Sequence, residues 1–281
     1  MQYSWPDTLR KPGRGAILDG AHPLARGLVS YLLFDECAGV PFDLARRATW
    51  ARVGSPVWAG AAGAVSPGLS FSGTGQYLTA GSAGPLAIAS GTPLTLECWY
   101  MATATLPSQD GVLVGKYDTA TLKGYCIAID HLTSQPYVFV DSGTFAEAKA
   151  GTTTLNALYH LVGIVARSGS NYAPAVYVNG VNVTDAAQTT VASTLTDPGR
   201  AAIVAGCNNA ATVDHLAAAR IFQASIRTRA ISAAEVVSLY RRPWQLLAAG
   251  PARAWYGPPA AAAVIHARRT LTPRAGSRGM A

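Results

Sequence analysis

The chain has 281 residues, 49% hydrophobic and only 13% charged, with 28 glycines and 17 prolines. That composition is ample for a core and favours many short strands joined by tight turns over a disordered chain. Of the net charge of +7, none belongs to residues 1–240, where 15 Lys and Arg face 15 Asp and Glu; the seven arginines from Arg241 onward carry it all, which excludes a generally basic nucleic-acid surface.

In chain order, residues 1–21 hold Pro6, Pro12 and several glycines and read as an irregular N-terminal arm. They lack the apolar centre of a secretory leader, so synthesis in a reducing cytosol is expected. Residues 22–242 form the predicted domain. From about Leu69 to Ile226 the apolar residues recur with period two. "LSFSGTGQYLTA" reads as strand, glycine turn and strand. In "LTLECWYMAT" Leu94, Leu96 and Cys98 share one face, while Thr95, Glu97 and Trp99 share the other. "YCIAID", "PYVFVD" and "LYHLVGIVAR" follow. In "AVYVNGVNV" the Asn179-Gly180 pair marks a two-residue hairpin, because a type I′ turn needs positive φ at both central positions. "AAIVAG" and "ARIFQASI" complete an all-β, two-sheet antiparallel sandwich. One helix is signalled in "ISAAEVVSLYRRP": Ser232 and Glu235 form a capping box, Ile231 and Val236 a hydrophobic staple, and Pro243 the stop. Residues 243–281, with prolines at 243, 251, 258, 259 and 273, form a basic C-terminal arm that builds no core of its own.

Few residues suggest chemistry. Cys37, Cys98, Cys126 and Cys207 are widely spaced, with no Cys-x-x-Cys pair, and read as free thiols rather than a zinc site. The only glutamates are Glu36, Glu97, Glu147 and Glu235, and none is spaced as a glycosidase pair, so no enzyme activity is expected. Asp214-His215 belongs to no nucleophile elbow and reads as a solvated loop. His160 reads as a packed strand histidine. Asp110, Asp118, Asp130 and Asp141 stand at strand ends and are the calcium candidates; turn formation explains them equally well. No other cofactor is expected. Trp99, Tyr117 and Tyr137 are candidate platforms for sugar rings, against the alternative that strand aromatics fill cores.

"HPLARGLVSYLLFDECAG", "LSFSGTGQYLTA", "LTLECWY", "LVGKYD", "LYHLVGIVAR", "VYVNG" and "IRTRAISAAEVVSLYRRPWQLL" occur in this order between His22 and Leu247. Together they resemble the laminin G-like, concanavalin A-like jelly-roll domains of bacteriophage virion proteins. Gln223 stands where that family commonly has an acidic residue, Arg227 where it has an aromatic, and Tyr159 where it usually has Trp. The resemblance implies a jelly roll acting as a non-enzymatic structural protein on a tailed-phage particle, in head decoration or a tail appendage, assembled in the host cytoplasm. The alternative it implies is a lectin-like adhesin for host surface glycan. Expected partners are other virion proteins and further copies of the chain, without membrane insertion or nucleic acid. Arg241, Arg242, Trp244, Arg253, Trp255, Tyr256, Arg268 and Arg269 are the expected docking residues, since aromatic anchors and arginine forks suit protein partners.

Overall fold

The computed structural model describes residues 11–12, 15–59, 67–105, 108–185 and 192–248. Its strands begin with β1 (Ile17–Leu18), β2 (Leu28–Leu32), β3 (Trp50–Val53), β4 (Val57–Ala59), β5 (Gly68–Ser72) and β6 (Tyr77–Ala80). There follow β7 (Leu94–Ala102), β8 (Gly111–Asp118), β9 (Lys123–Ile129), β10 (Pro136–Ser142), β11 (Ala146–Lys149), β12 (Tyr159–Ser168) and β13 (Asn171–Val178). The chain continues through β14 (Val181–Asn182), β15 (Ile203–Val204), β16 (Cys207–Asn209), β17 (Thr212–Asp214), β18 (Ala218–Arg227), helix α1 (Ala233–Arg241) and β19 (Leu247–Ala248).

Two sheets result. The first runs β11-β10-β9-β8-β15-β6-β3, with the β16–β17 hairpin joined to β8. The second runs β14-β13-β12-β7-β18-β5-β4, with β2 beside β18. Pairing is antiparallel apart from parallel bridges onto β8 from Asn208 and Leu216. This is the expected antiparallel sandwich with one short helix. Among the described residues no helix is long and apolar enough to cross a membrane.

Side-chain alternation decides what lies between the sheets. Leu94, Leu96, Cys98 and Tyr100 of β7 point inward and share one core with Leu69, Phe71, Leu113, Ile127 and Leu161. Thr95, Glu97 and Trp99 point outward, yet they too are buried. Burial on both faces demands a third layer. It is built from α1 and from segments distant in sequence: Leu24, Leu28 and Leu33, then Ile231, Val236, Leu239, Trp244 and Leu246, all packed on Val162, Ile164 and Tyr177 of the second sheet.

Local signals behave as their chemistry requires. Ser232 and Glu235 exchange both capping-box hydrogen bonds, with Ser232 N–H donating to Glu235 Oε2 at 2.7 Å. Asn179 and Gly180 have φ of 52° and 80°, and Val178 faces Val181 across the turn, so the Asn-Gly pair is the hairpin tip. All four cysteines are separate thiols; Cys37 is exposed and the other three are buried.

The expected domain limits of 22 and 242 are too narrow. Ile17 pairs with Ala248 and Leu18 with Leu247, joining β1 to β19. Pro243 ends the helix, but Trp244 and Leu246 then find the third-layer core and are buried in it. Trp244 is therefore a core residue rather than a docking anchor.

The N-terminal arm also contributes a buried charge. Lys11 Nζ lies within hydrogen-bonding distance of four backbone carbonyls: Leu33 (2.6 Å), Phe34 (3.3 Å), Pro67 (2.5 Å) and Phe222 (2.6 Å). It also lies 6.0 Å from the Phe222 ring centroid and 5.9 Å from that of Trp244. Burial pulls the Lys11 ammonium down to about 7, opposed by the carboxylates of Asp35 and Glu36. The carbonyls can only accept, so the cage itself favours the protonated amine. Lys11→Met is expected to cost about 2–4 kcal/mol, since it leaves several buried acceptors without a donor. An unchanged urea midpoint for that variant would show that the cage is not holding the arm.

Candidate functional site

The outer face of the first sheet carries an open cleft of about 350 Å³, lined by Tyr77, Thr79, Ser82, Arg200, Asn208 and Thr212 among others. Its floor follows from alternation: Leu78 and Ala80 of β6 enter the core, so Tyr77 and Thr79 face out. Its wall is the β16–β17 hairpin. Two residues in the left-handed region shape that wall, Ala205 (φ 65°) before β16 and Ala210 (φ 50°) at the tip. Non-glycine residues adopt this conformation at a cost, which surrounding contacts must offset.

Asp118 supplies such contacts for Ala210. Its carboxylate accepts the Ala210 N–H at 2.9 Å and the Thr121 hydroxyl at 2.9 Å, and the Arg200 Nε lies 3.7 Å away. Burial raises the Asp118 carboxyl, but these hydrogen bonds and the Arg200 charge outweigh it and hold the group below its usual range. Asn208 adds a second tie, donating from its amide to the Tyr117 carbonyl at 3.0 Å and the Ala201 carbonyl at 2.8 Å. Arg200 keeps 42% of its side chain exposed at the cleft, so its guanidinium is open to an incoming anion. The cleft thus combines one aromatic ring, a guanidinium, an amide and hydroxyls.

The four aspartates expected to gather calcium do not form one site. Asp110 and Asp130 meet His131, with donor atoms within 4.8 Å of one another. Asp118 and Asp141 lie at the opposite end of β8 and β10, where they pair with Lys123 and Gly124 of β9. Each carboxylate already has protein partners. Asp110 accepts from His131 at 2.7 Å and from the Tyr137 hydroxyl at 2.5 Å. Asp130 accepts from the Leu132 and Thr133 amides and from Lys149 at 3.2 Å. Asp141 accepts from the Tyr117 hydroxyl at 3.1 Å and the Gly143 amide at 2.8 Å. Asp130 and Asp141 serve their own turns, Asp110 and Asp118 tie strand ends to residues distant in sequence, and Lys149 places a positive charge beside Asp130.

The candidate sugar platforms are also packed. Trp99 is only 2% exposed and lies under α1, stacked on His160 at 4.7 Å and Tyr240 at 5.9 Å. Tyr117 and Tyr137 do lie on the outer face of the first sheet. They pack against Phe139 at 4.6 Å and 5.8 Å and present no open ring face. The aromatic at the cleft is the half-buried Tyr77, which sequence reading passed over. Its signal was its place directly before Leu78 at a strand start after a glycine turn. Among the expected docking residues, Arg241 and Arg242 are exposed at the end of α1, whereas Arg253, Trp255, Tyr256, Arg268 and Arg269 lie outside the described residues.

A second polar group was missed altogether. Glu97, read as a lone acid, accepts from Arg227 Nη1 at 2.6 Å, Ser225 Oγ at 2.9 Å and His160 Nε2 at 3.2 Å. Burial raises its carboxyl, but the Arg227 charge and the His160 contacts more than offset this and hold it at about 2. At 2% exposure it reaches no solvent and no substrate.

Comparison with known proteins agrees with this architecture. No curated protein sequence matches the chain. Among solved structures, the binding domain of Paraclostridial Mosquitocidal Protein 1 aligns with a TM-score of 0.58 and 14% identity, over 78% of this chain and 53% of that one. The botulinum neurotoxin serotype G binding domain aligns at 0.53 and 11% identity, over 76% and 50%. Trypanosoma rangeli sialidase, solved with sialic acid, aligns at 0.52 and 17% identity, over 78% and 33%. The chain thus spans about half the length of the two toxin domains and a third of the sialidase. At these identities the likeness is one of fold. The sequence profile of the concanavalin A-like lectin/glucanases superfamily matches residues 72–237, which run from β5 through the core strands to the helix. With the sandwich, its order of strands and that match in agreement, the chain belongs to the concanavalin A-like lectin/glucanases superfamily.

Proposed function

We propose that this domain recognises carbohydrate, without cleaving it, in the cleft beside the β16–β17 hairpin. The observation that carries this reading is the cleft's lining. An aromatic ring can cover the apolar face of a pyranose, and Arg200, Thr79 and Thr212 offer the hydrogen-bonding groups its hydroxyls need. The exposed guanidinium further favours a sugar that bears a carboxylate. Glycoside hydrolysis in its usual form needs two carboxyl groups across the scissile bond, and none of the described lining residues is Asp or Glu. Neighbours named as toxin binding domains, and a sialidase solved with sialic acid, support a recognition role.

The test is a glycan array followed by calorimetry. Tyr77→Ala and Arg200→Ala are each expected to weaken binding at least ~10-fold in protein shown by melting to be folded, a loss of about 1.4 kcal/mol. Tyr137→Phe, remote from the cleft, should bind normally. Undiminished binding in both cleft variants would refute the site, and release of reducing sugar would refute the absence of cleavage.

A second reading is favoured by one observation, the confinement of the whole net charge to residues 241–281. On that reading the domain is a structural component of a virus particle, and the segment after residue 248 is its assembly arm. The two readings are compatible, because one uses the cleft and the other the chain end.

A further inference from the structure

The hairpin that walls the cleft has a second face. Cys207 and Asp214 are directly opposed across β16–β17 and, by alternation, point away from Asn208. His215 follows Asp214 with its backbone in the left-handed region, at φ 49°, which turns its ring back over the pair. Cys207 Sγ lies 3.3 Å and His215 Nδ1 2.8 Å from the same Asp214 oxygen, Oδ1. All three donor atoms fall within 4.8 Å of one another.

The other carboxylate oxygen is committed elsewhere. Asp214 Oδ2 accepts from the Asn209 amide at 2.8 Å and the Thr119 hydroxyl at 3.3 Å. These bonds fix the carboxylate so that Oδ1 faces the sulfur and the imidazole. Outer hydrogen bonds that orient a ligand in this way are a regular part of built metal sites.

We propose that Cys207, Asp214 and His215 form a binding site for zinc(II). The donor set decides the ion: a thiolate and an imidazole suit zinc, whereas calcium and magnesium take oxygen donors. Tetrahedral zinc, with bonds of roughly 2.0–2.3 Å, spaces its donors roughly 3.3–3.5 Å apart. The sulfur–oxygen separation already meets that spacing, and the nitrogen–oxygen separation has to open by only a few tenths of an ångström. Binding forms a Zn–S bond and releases the Cys207 thiol proton to solvent. The imidazole proton moves to Nε2, so that Nδ1 presents its lone pair. His215 and Asp214 keep 27% and 17% of their side chains exposed, which gives the ion an entry and leaves the fourth position to water. The site sits on the face of the hairpin opposite the cleft and does not depend on what the cleft binds.

Cobalt(II) is the probe, with zinc as competitor, in the full chain carrying Cys37→Ser so that the exposed thiol cannot contribute. One ion per chain is expected to bind with a sulfur-to-cobalt charge-transfer band that zinc abolishes. Cys207→Ser should remove the band, and His215→Ala and Asn209→Ala should each weaken binding by at least about 10-fold. Asp110→Asn, at the other acidic and histidine cluster, should change nothing. Melting without metal establishes that each variant is folded, and His215→Ala, partly exposed, serves if Cys207→Ser is not. A folded parent without the band, a band that survives in Cys207→Ser or His215→Ala, or a band lost in Asp110→Asn overturns the assignment.

Discussion

Truncation after Arg242 is expected to destabilise the sandwich severely, whereas truncation after Ala248 is expected to leave its melting temperature unchanged. Six residues separate the two cut points, and they hold Trp244 and Leu246, both buried in the third layer, together with β19, the partner of β1. Deleting a buried Trp or Leu side chain costs about 3–5 and 2–5 kcal/mol respectively. Losing both, with the strand pair, approaches the 5–15 kcal/mol that typically holds a domain together. Lys11 would also lose the Trp244 ring beneath its ammonium. Thermal melting of the two truncations beside the full chain decides the matter; equal melting of all three would make residues 243–248 dispensable. Truncation after Ala248 also serves the particle reading, because that chain should fold normally and fail to incorporate.

That six-residue margin shows what the sequence could and could not reveal. Period-two alternation places Leu94, Leu96 and Cys98 on one face and Glu97 and Trp99 on the other, and the structure agrees. Alternation is silent on what covers the second face. The cover comes from residues near 11, 24–33 and 231–246; only the helix in the last of these has a local signature, and nothing local shows which face it covers. Trp99 therefore looked like a sugar platform and is a core residue. Helix capping and the Asn179-Gly180 turn were legible because their chemistry closes within a few residues. Glu97 looked solitary because its counter-ion is Arg227, separated from it by 130 positions. The cleft was hidden for the same reason. Tyr77 and Arg200 belong to segments far apart in the chain, which only the β15–β6 pairing brings side by side.

Arg227→Met is expected to destabilise the protein by about 3–5 kcal/mol at neutral pH, because it leaves the Glu97 carboxylate buried without its counter-charge. The penalty comes from the orphaned charge more than from any net value of the pair. Glu97→Leu combined with Arg227→Leu should accordingly lie closer to the parent than either single variant, since two apolar side chains need no partner. The pH dependence separates this from simple loss of packing. In the parent, Glu97 is held at about 2, below its unfolded value of 4.5, so its contribution is complete above 4.5 and is lost as pH falls toward 2. Without Arg227, burial dominates and raises the carboxyl above its unfolded value, so the variant loses stability as pH rises through that value. The gap between parent and Arg227→Met should therefore be widest at pH 7 and narrow steadily on acidification toward pH 3. A gap that stays constant across that range would mean that Arg227 acts through its packing, and that the buried ion pair is not what holds β7 to β18.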